Sequence, residues 1–213
     1  MFQGYSPETV DFLWGIRLNN NREWFLEHKK QYVDTLYEPT KALAKELMPL
    51  LEGRVGDLMK VSRIYRDARM HHPLPYKESL WLCIRQDCQW WAEKPCLYFE
   101  INPDGMDYGF FFYKPGNARL ENFRQKIAAN PDEFLKLMED TQALVGQPVT
   151  AQCYKRPKTP EDPRLADYFG WKEQFACVRQ EPFGPDSFGP ELAQRVGDFL
   201  EKLLPLYDYF NLI

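Results

Sequence analysis

Apolar side chains recur at helical spacing near the start of the chain. Ser6 followed by Pro7 predicts a helix start, because Ser is a preferred N-cap residue and Pro is tolerated at the first helical position. Leu13 and Trp14 continue the apolar face, and we expect the helix to end near Asn19. The chain therefore begins with an amphipathic helix.

Further helical patterns follow on both sides of a central segment. Asn21 is expected to cap a second helix that reaches Leu36, Pro39 to interrupt or restart it, and Gly53 to close the next helical stretch. In the second half, helices are predicted at Leu120, Phe123 and Ile127, after Pro131, and along the C-terminal stripe of Leu192, Val196, Phe199, Leu200, Leu203 and Leu204.

The central segment has the alternating, aromatic and β-branched composition of strands. Strands are predicted at 59–66, 80–87, 96–101 and 106–113, with two later ones at 149–154 and 174–180. Asn102-Pro103-Asp104-Gly105 predicts a tight hairpin, and we expect the strand that contains Arg63 to neighbour that hairpin. The pattern indicates an α+β fold: a central, mostly antiparallel sheet packed with helices from both ends of the chain, in a single domain over 1–213.

Composition narrows the function classes. The chain has 213 residues, 27% of them charged, and no apolar run long enough for a membrane span, so we expect no membrane association. The N-terminus lacks the pattern of a signal peptide, which favours a cytoplasmic protein. Five cysteines without a Cys-x-x-Cys pair favour reduced thiols, most of them small core residues, and neither a metal nor a cofactor is predicted.

One segment has a charge unlike that of the whole chain. The net charge is -4, which makes general nucleic-acid binding an unfavoured function. Residues 54–77 nevertheless hold six basic and two acidic side chains. Their centre is Arg63-Ile64-Tyr65-Arg66-Asp67-Ala68-Arg69, followed by Pro75-Tyr76-Lys77. Guanidinium groups at this density need anions nearby, so the segment is a candidate site for an anionic ligand.

The same residues carry a resemblance to a known family. Asn19-Asn20-Asn21-Arg22 before Trp24-Phe25, the Arg-x-x-Arg-Asp-x-Arg run, Pro75-Tyr76-Lys77 and Lys155-Arg156-Pro157 resemble the signature of the domain-of-unknown-function 2461 family. The resemblance spans nearly the whole chain and implies a bacterial α+β domain. That family has no established activity, so the chemistry of the residues must suggest the function.

The first hypothesis is a pocket that binds a phosphate- or carboxylate-bearing small molecule. Arg63 and Arg69 would clamp the anion, Asp67 would orient one of the arginines, and Tyr76 and Lys77 would complete the site. This convergence requires the chain to turn after Asp67, so that the Tyr76 segment folds back over the end of the strand.

Two neighbouring features complete the candidate ligand-binding set. Arg66 belongs to the same motif, and Asn21 with Arg22 lies at a helix N-terminus, where backbone donors can hold an anion. A structural explanation is equally compatible with the sequence: Asp67 would be held by Arg66 or Arg69 and pin a loop. The asparagines would then be ordinary helix caps.

Other hypotheses use the aromatic residues. Trp81, Trp90 and Trp91 with the run 110–113 could line a cleft, although strand alternation places half of that run in the core. The alternative function is a non-catalytic interaction module whose basic edge and aromatic residues dock an acidic protein partner. A reaction is not indicated, because Asp67 among arginines would have a lowered pKa and be a poor base.

Overall fold

The computed structural model describes residues 1–51, 53–67 and 73–213. Its helices are α1 (Pro7–Leu18), α2 (Arg22–Glu27), α3 (Lys29–Gln31), α4 (Glu38–Leu51), α5 (Asn117–Ala129), α6 (Pro131–Val145), α7 (Ala166–Phe169), α8 (Glu191–Lys202) and α9 (Leu204–Asn211). A π-helical turn, Tyr32–Tyr37, joins α3 to α4, and 3-10 turns occupy Trp91–Glu93, Pro163–Leu165 and Pro185–Ser187. The strands are β1 (Leu58–Val61), β2 (Leu80–Arg85), β3 (Cys96–Asn102), β4 (Gly105–Phe112), β5 (Thr150–Cys153) and β6 (Trp171–Pro182).

The six strands form one sheet in the order β1-β2-β3-β4-β6-β5, and all neighbouring pairs are antiparallel. Helices from both ends of the chain pack on it: α4 against β1 and β2, α8 against β4, and α6 against β6. The predicted α+β class is therefore confirmed. We call the sheet surface that faces away from α4 and α8 the outer face.

Strand alternation decides which side chains enter the core. In β3, Leu97, Phe99 and Ile101 are fully buried, whereas Tyr98 and Glu100 point to the outer face and stay partly accessible. Buried residues from Phe2 to Ile213 belong to one apolar cluster. One such cluster is the arrangement expected of the single domain that the sequence predicts.

The β3–β4 hairpin confirms the prediction from Asn102-Pro103-Asp104-Gly105. Asn102 pairs with Gly105, and the Asp104 N–H donates to the Asn102 side chain at 2.8 Å. Gly105 has a φ of +152°, and a Cβ there would lie 2.2 Å from the backbone oxygen of Glu181. Glycine is needed at this position both for the turn and for the close approach of β6.

The predicted helix boundaries are also confirmed at the N-terminus. Pro7 opens α1 and Asn19 ends it, while the Asn21 side chain accepts a hydrogen bond from the Trp24 N–H at 3.0 Å. Pro39 is the second residue of α4, which follows the π-helical turn, so the helix restarts there. Gly53 lies after α4 with a φ of +77°.

The prediction that the first strand runs to residue 66 was wrong, because β1 ends at Val61. The Ser62 N–H donates to the Trp81 carbonyl at 2.7 Å, but the Trp81 N–H donates to the Ser62 hydroxyl at 3.1 Å. A side-chain acceptor thus replaces the backbone carbonyl and stops the regular ladder.

Two further expectations need correction. The strand predicted to contain Arg63 does not neighbour the hairpin: β1 ends at Val61, and β2 lies between β1 and β3. Most cysteines are not core residues either: all five are free, but Cys83 and Cys177 alone are buried. Cys83 and Cys96 lie on the outer face because each occupies an outward position of its strand.

Candidate functional site

The two halves of the basic motif meet, as the clamp hypothesis requires. Tyr65 and Tyr76 form an antiparallel bridge. The Arg66 N–H donates to the Pro75 carbonyl at 2.9 Å, and the Lys77 N–H donates to the Ile64 carbonyl at 2.7 Å. The segment 75–77 therefore runs back along 64–66, beyond the end of β1.

Tyr76 has mainly structural contacts. Its side chain is buried and stacks on Phe25 with the ring centres 4.3 Å apart. Burial raises the pKa of the Tyr76 phenol, so it stays protonated at neutral pH. The Asn20 side chain pairs with the Tyr76 backbone: the amide NH₂ donates to the carbonyl and the amide oxygen accepts from the N–H, each at 3.0 Å.

The remaining predicted residues lie around this pair of segments. Arg63 and Asp67 are exposed, and so are Asn21 and Arg22 at the start of α2. The backbone oxygen of Arg63 accepts a hydrogen bond from Lys77 Nζ at 2.8 Å. Arg69 lies outside the described residues. The clamp between Arg63 and Arg69 therefore stays a prediction.

Arg66 has a carboxylate partner that the sequence did not suggest. Its guanidinium lies 3.7 Å from Glu78, which also pairs with Arg17 at 3.0 Å. Within the described part of the chain, Arg66 Nε is buried and has no hydrogen-bond acceptor. Glu78 thus joins the motif to α1, whose Arg17 forms a second ion pair with Asp104 in the hairpin turn.

Next to the motif, the outer face contains a concave site of about 510 Å³, which we call the aromatic cavity. Its apolar walls are Trp81 from β2, Tyr98 from β3, Phe111 and Tyr113 from β4 and the residue after it, and Trp91 from a 3-10 turn. Trp91 stacks on Tyr113 with centres 5.7 Å apart and planes 10° apart. Phe110 and Phe112 point to the core, which confirms the expected division of the aromatic run.

Positive charge predominates in this cavity. Among the described residues that line it, the charged ones are Lys60 on β1, Arg85 on β2, Lys94 before β3, and Glu100 on β3. Burial lowers the pKa of Lys94, with Arg119 nearby acting in the same direction. An anion that entered the cavity would offset this cation excess.

Glu100 lies where the cavity meets the motif. Ser79 Oγ donates to its carboxylate at 2.5 Å, and Asp107 is its cross-strand partner. Burial raises the pKa of Glu100, while the Ser79 hydrogen bond and the charge of Lys77 oppose the rise. Lys77 Nζ lies 5.5 Å from the centre of the Trp81 ring, and burial lowers the pKa of this lysine. Lys77 is thus the motif residue at the cavity edge.

The sequence interpretation missed Lys60, Arg85, Lys94, Cys96 and Glu100. They come from β1, β2, β3 and the turn before β3, and they converge only when the sheet forms. The sequence did contain one sign of this site. At the alternate positions of β2 and β3 that face outward, aromatic, cationic and thiol side chains replace the small polar residues usual on a solvated face.

Fold and site together define an α+β protein with a cation-lined aromatic cavity on the outer face of an antiparallel sheet. A family model described as conserved hypothetical protein (DUF2461) matches residues 8–209, nearly the whole chain, and the protein belongs to that family. A comparison with curated proteins gave no match.

Across residues 1–51, 53–67 and 73–213, no helix combines the length and apolar character needed to cross a membrane. Within the same ranges, His, Cys, Asp and Glu side chains do not gather into a group of three or more that could hold a metal ion.

Proposed function

We propose that this protein binds a small organic molecule that has a planar apolar body and a phosphate or carboxylate group. The observation that carries the proposal is the aromatic cavity, where the stacked pair Trp91 and Tyr113 lies with the cations Lys60, Arg85 and Lys94. Its volume of about 510 Å³ lies within the range of about 300–1,000 Å³ typical of small-molecule sites.

Each part of the ligand has a matching surface in the cavity. The indole of Trp81 and the Trp91–Tyr113 pair would pack against the planar body, because aromatic faces favour stacking. Arg85 is held in place, since its guanidinium donates to the Gln86 carbonyl at 2.9 Å. A guanidinium fixed in this way loses little freedom when it binds an anion.

The motif contributes to this proposal through its edge of the cavity. Lys77 is the best placed of the predicted ligand-binding residues, beside Trp81 and Glu100. Arg66, through Glu78, supports the segment that positions Lys77. The direct ligand-binding roles predicted for Arg63, Asp67, Asn21 and Arg22 remain predictions.

Concave shape favours a small molecule over the alternative interaction module, for which a flat exposed surface would be expected. Trp90, two-thirds exposed beside the cavity, is the observation that keeps a protein partner as the second candidate.

We also propose a bacterial cytoplasmic location. The five free thiols suit a reducing compartment, and the bacterial source follows the family resemblance.

The thermal midpoint tests the proposal with three ligands: 2-naphthoate, its neutral amide 2-naphthamide, and acetate. We expect 2-naphthoate to raise the midpoint most, because it alone combines a planar body with a carboxylate. Lys60→Gln should reduce this rise, whereas Lys172→Gln, a matched change at an exposed β6 lysine paired with Glu173, should not. Equal effects of the acid and the amide on wild type would overturn the proposal.

A further inference from the structure

Two cysteine thiols lie together in the aromatic cavity. Cys83 on β2 is paired with Tyr98 on β3, which places Cys96 diagonally across from Cys83 on the same face. Both side chains line the cavity, and each thiol shifts the pKa of the other. Neither thiol forms a disulfide.

Cations surround Cys83 in particular. Lys60 on β1 is its direct cross-strand partner, and Arg85 is two residues further along β2 on the same face. The other titratable residues that line the cavity are Cys96, Tyr98 and Glu100 on β3, Lys94 before it and Tyr113 after β4. The hydrogen bond from Cys96 and the charges of Arg85 and Lys60 lower the pKa of Cys83.

Cys96 has the complementary environment. The interaction with Cys83 and the partial burial of the Cys96 side chain raise its pKa, so Cys96 is the later of the two thiols to ionise. Of the two thiols, Cys83 is therefore the one that ionises more readily. A thiolate next to cations and a hydrogen-bond donor is the environment of reactive cysteines in proteins.

We infer that Cys83 is a nucleophilic residue that forms a covalent bond with an electrophilic carbon of an anionic molecule in the cavity. Cys83 first releases its proton to solvent, and the thiolate sulfur then attacks that carbon. A carbon–sulfur bond forms, and the bond to the leaving group breaks with its electron pair leaving as an anion. No oxidation or reduction takes place, and Cys96 keeps its proton. The preference for an anionic electrophile rests on the proposed function of the cavity.

Two other cysteines of the chain serve as internal references. Cys153 on β5 is exposed and outside the cavity. Cys177 faces the core, where burial raises its pKa to about 12. A reaction that followed exposure alone would modify Cys153 first, whereas a reaction directed by the cavity would modify Cys83 first.

Alkylation of the full chain by iodoacetate and by iodoacetamide tests the inference, with each cysteine followed by peptide mass spectrometry. Below the ordinary thiol pKa of about 8.5, we expect Cys83 to react roughly tenfold faster than Cys153. The rate ratio of iodoacetate to iodoacetamide should also be higher at Cys83, because Lys60 and Arg85 attract the carboxylate. Reaction of Cys83 no faster than Cys153 with both reagents would overturn the inference.

Variants of Cys96 separate hydrogen bonding from packing. Cys96→Ala removes the donor, so the apparent pKa of Cys83, taken from the pH dependence of its alkylation rate, should rise. Below that pKa, the alkylation rate of Cys83 should fall roughly threefold or more. Cys96→Ser keeps a donor of similar size and should retain most of the rate. Equal rates in the two variants would contradict the role of Cys96.

Reversible binding of 2-naphthoate with an inert Cys83 would refute only the covalent step, and the proposed function would stand.

Discussion

The ammonium group of Lys77 lies 5.5 Å from the centre of the Trp81 ring, and the same group donates a 2.8 Å hydrogen bond to the Arg63 carbonyl. Lys77 therefore links the two features that could recognise an anion: the basic motif and the aromatic cavity. The motif reaches the cavity because the segment 75–77 leads directly into β2, whose second residue is Trp81. The basic motif positions one edge of a site formed mainly by the sheet.

Lys77→Met should weaken both folding and ligand binding. The substitution removes the hydrogen bond to Arg63 and the cation–π contact, so we expect a loss of about 1 kcal/mol in the free energy of unfolding, measured by urea denaturation. Affinity for 2-naphthoate should fall as well, because one cation leaves the cavity edge. Lys172→Met is the matched control. If the two variants lose equal stability, the contacts of Lys77 contribute no more than those of an exposed lysine.

The three consecutive asparagines provide a graded stability test. Asn20→Ala should cost about 2 kcal/mol, because it removes both side-chain hydrogen bonds to the Tyr76 backbone. Asn21→Ala should cost about 1 kcal/mol through loss of the α2 cap, and Asn19→Ala less than about 0.5 kcal/mol. Urea denaturation of the three variants measures the order.

A different order would change the interpretation of this segment. If Asn20→Ala were as mild as Asn19→Ala, the Tyr76 segment would not depend on the α1–α2 connection for its position. If Asn20→Ala left stability unchanged but abolished binding of 2-naphthoate, Asn20 would have a role in ligand binding instead.

Glu100 should make stability depend on pH in a defined direction. Burial raises its pKa above the ordinary value of 4.5, so the folded state binds a proton more readily than the unfolded state. The stabilising contribution of this proton is complete below about pH 4.5 and is lost as the pH rises through the folded-state pKa. Glu100→Gln removes this loss and keeps an acceptor for Ser79. The variant should therefore gain stability relative to wild type between acidic and neutral pH.

A second carboxylate provides a control of opposite sign. The hydrogen bond from Lys158 lowers the pKa of Glu121, so its contribution is present at neutral pH and is lost as the pH falls. Glu121→Gln should thus lose stability relative to wild type on going from acidic to neutral pH. Parallel pH profiles for the two variants, measured by thermal denaturation, would contradict the burial assigned to Glu100.

Local signals made much of the fold predictable. Ser6-Pro7 marks the start of α1 through backbone constraints that act within a few residues, and Asn102-Pro103-Asp104-Gly105 marks the hairpin for the same reason. The clustering of basic residues was likewise visible, because they are close in the chain. The division of 110–113 between core and cavity followed from strand alternation alone.

Tertiary relationships account for what the sequence did not indicate. β1 stops at Val61 because the Ser62 hydroxyl replaces a backbone acceptor, a choice that depends on where Trp81 lies. The cavity needs Lys60, Arg85 and Lys94 on one surface, and their convergence depends on the pairing of β1, β2 and β3 and on the turn at Trp91. Spacing along the chain contains no information on either point.

Binding of the fluorescent sulfonate 8-anilinonaphthalene-1-sulfonate, compared with its neutral analogue N-phenyl-1-naphthylamine, tests the central claim most directly. The two probes share an aromatic body, so the ratio of their dissociation constants isolates the contribution of the anionic group. We predict that wild type binds the sulfonate at least tenfold more tightly, a difference of about 1.4 kcal/mol, and that the double variant Lys60→Gln/Lys94→Gln brings the ratio close to one. Equal affinities in wild type, or a ratio unchanged in the double variant, would contradict an anion site in the aromatic cavity.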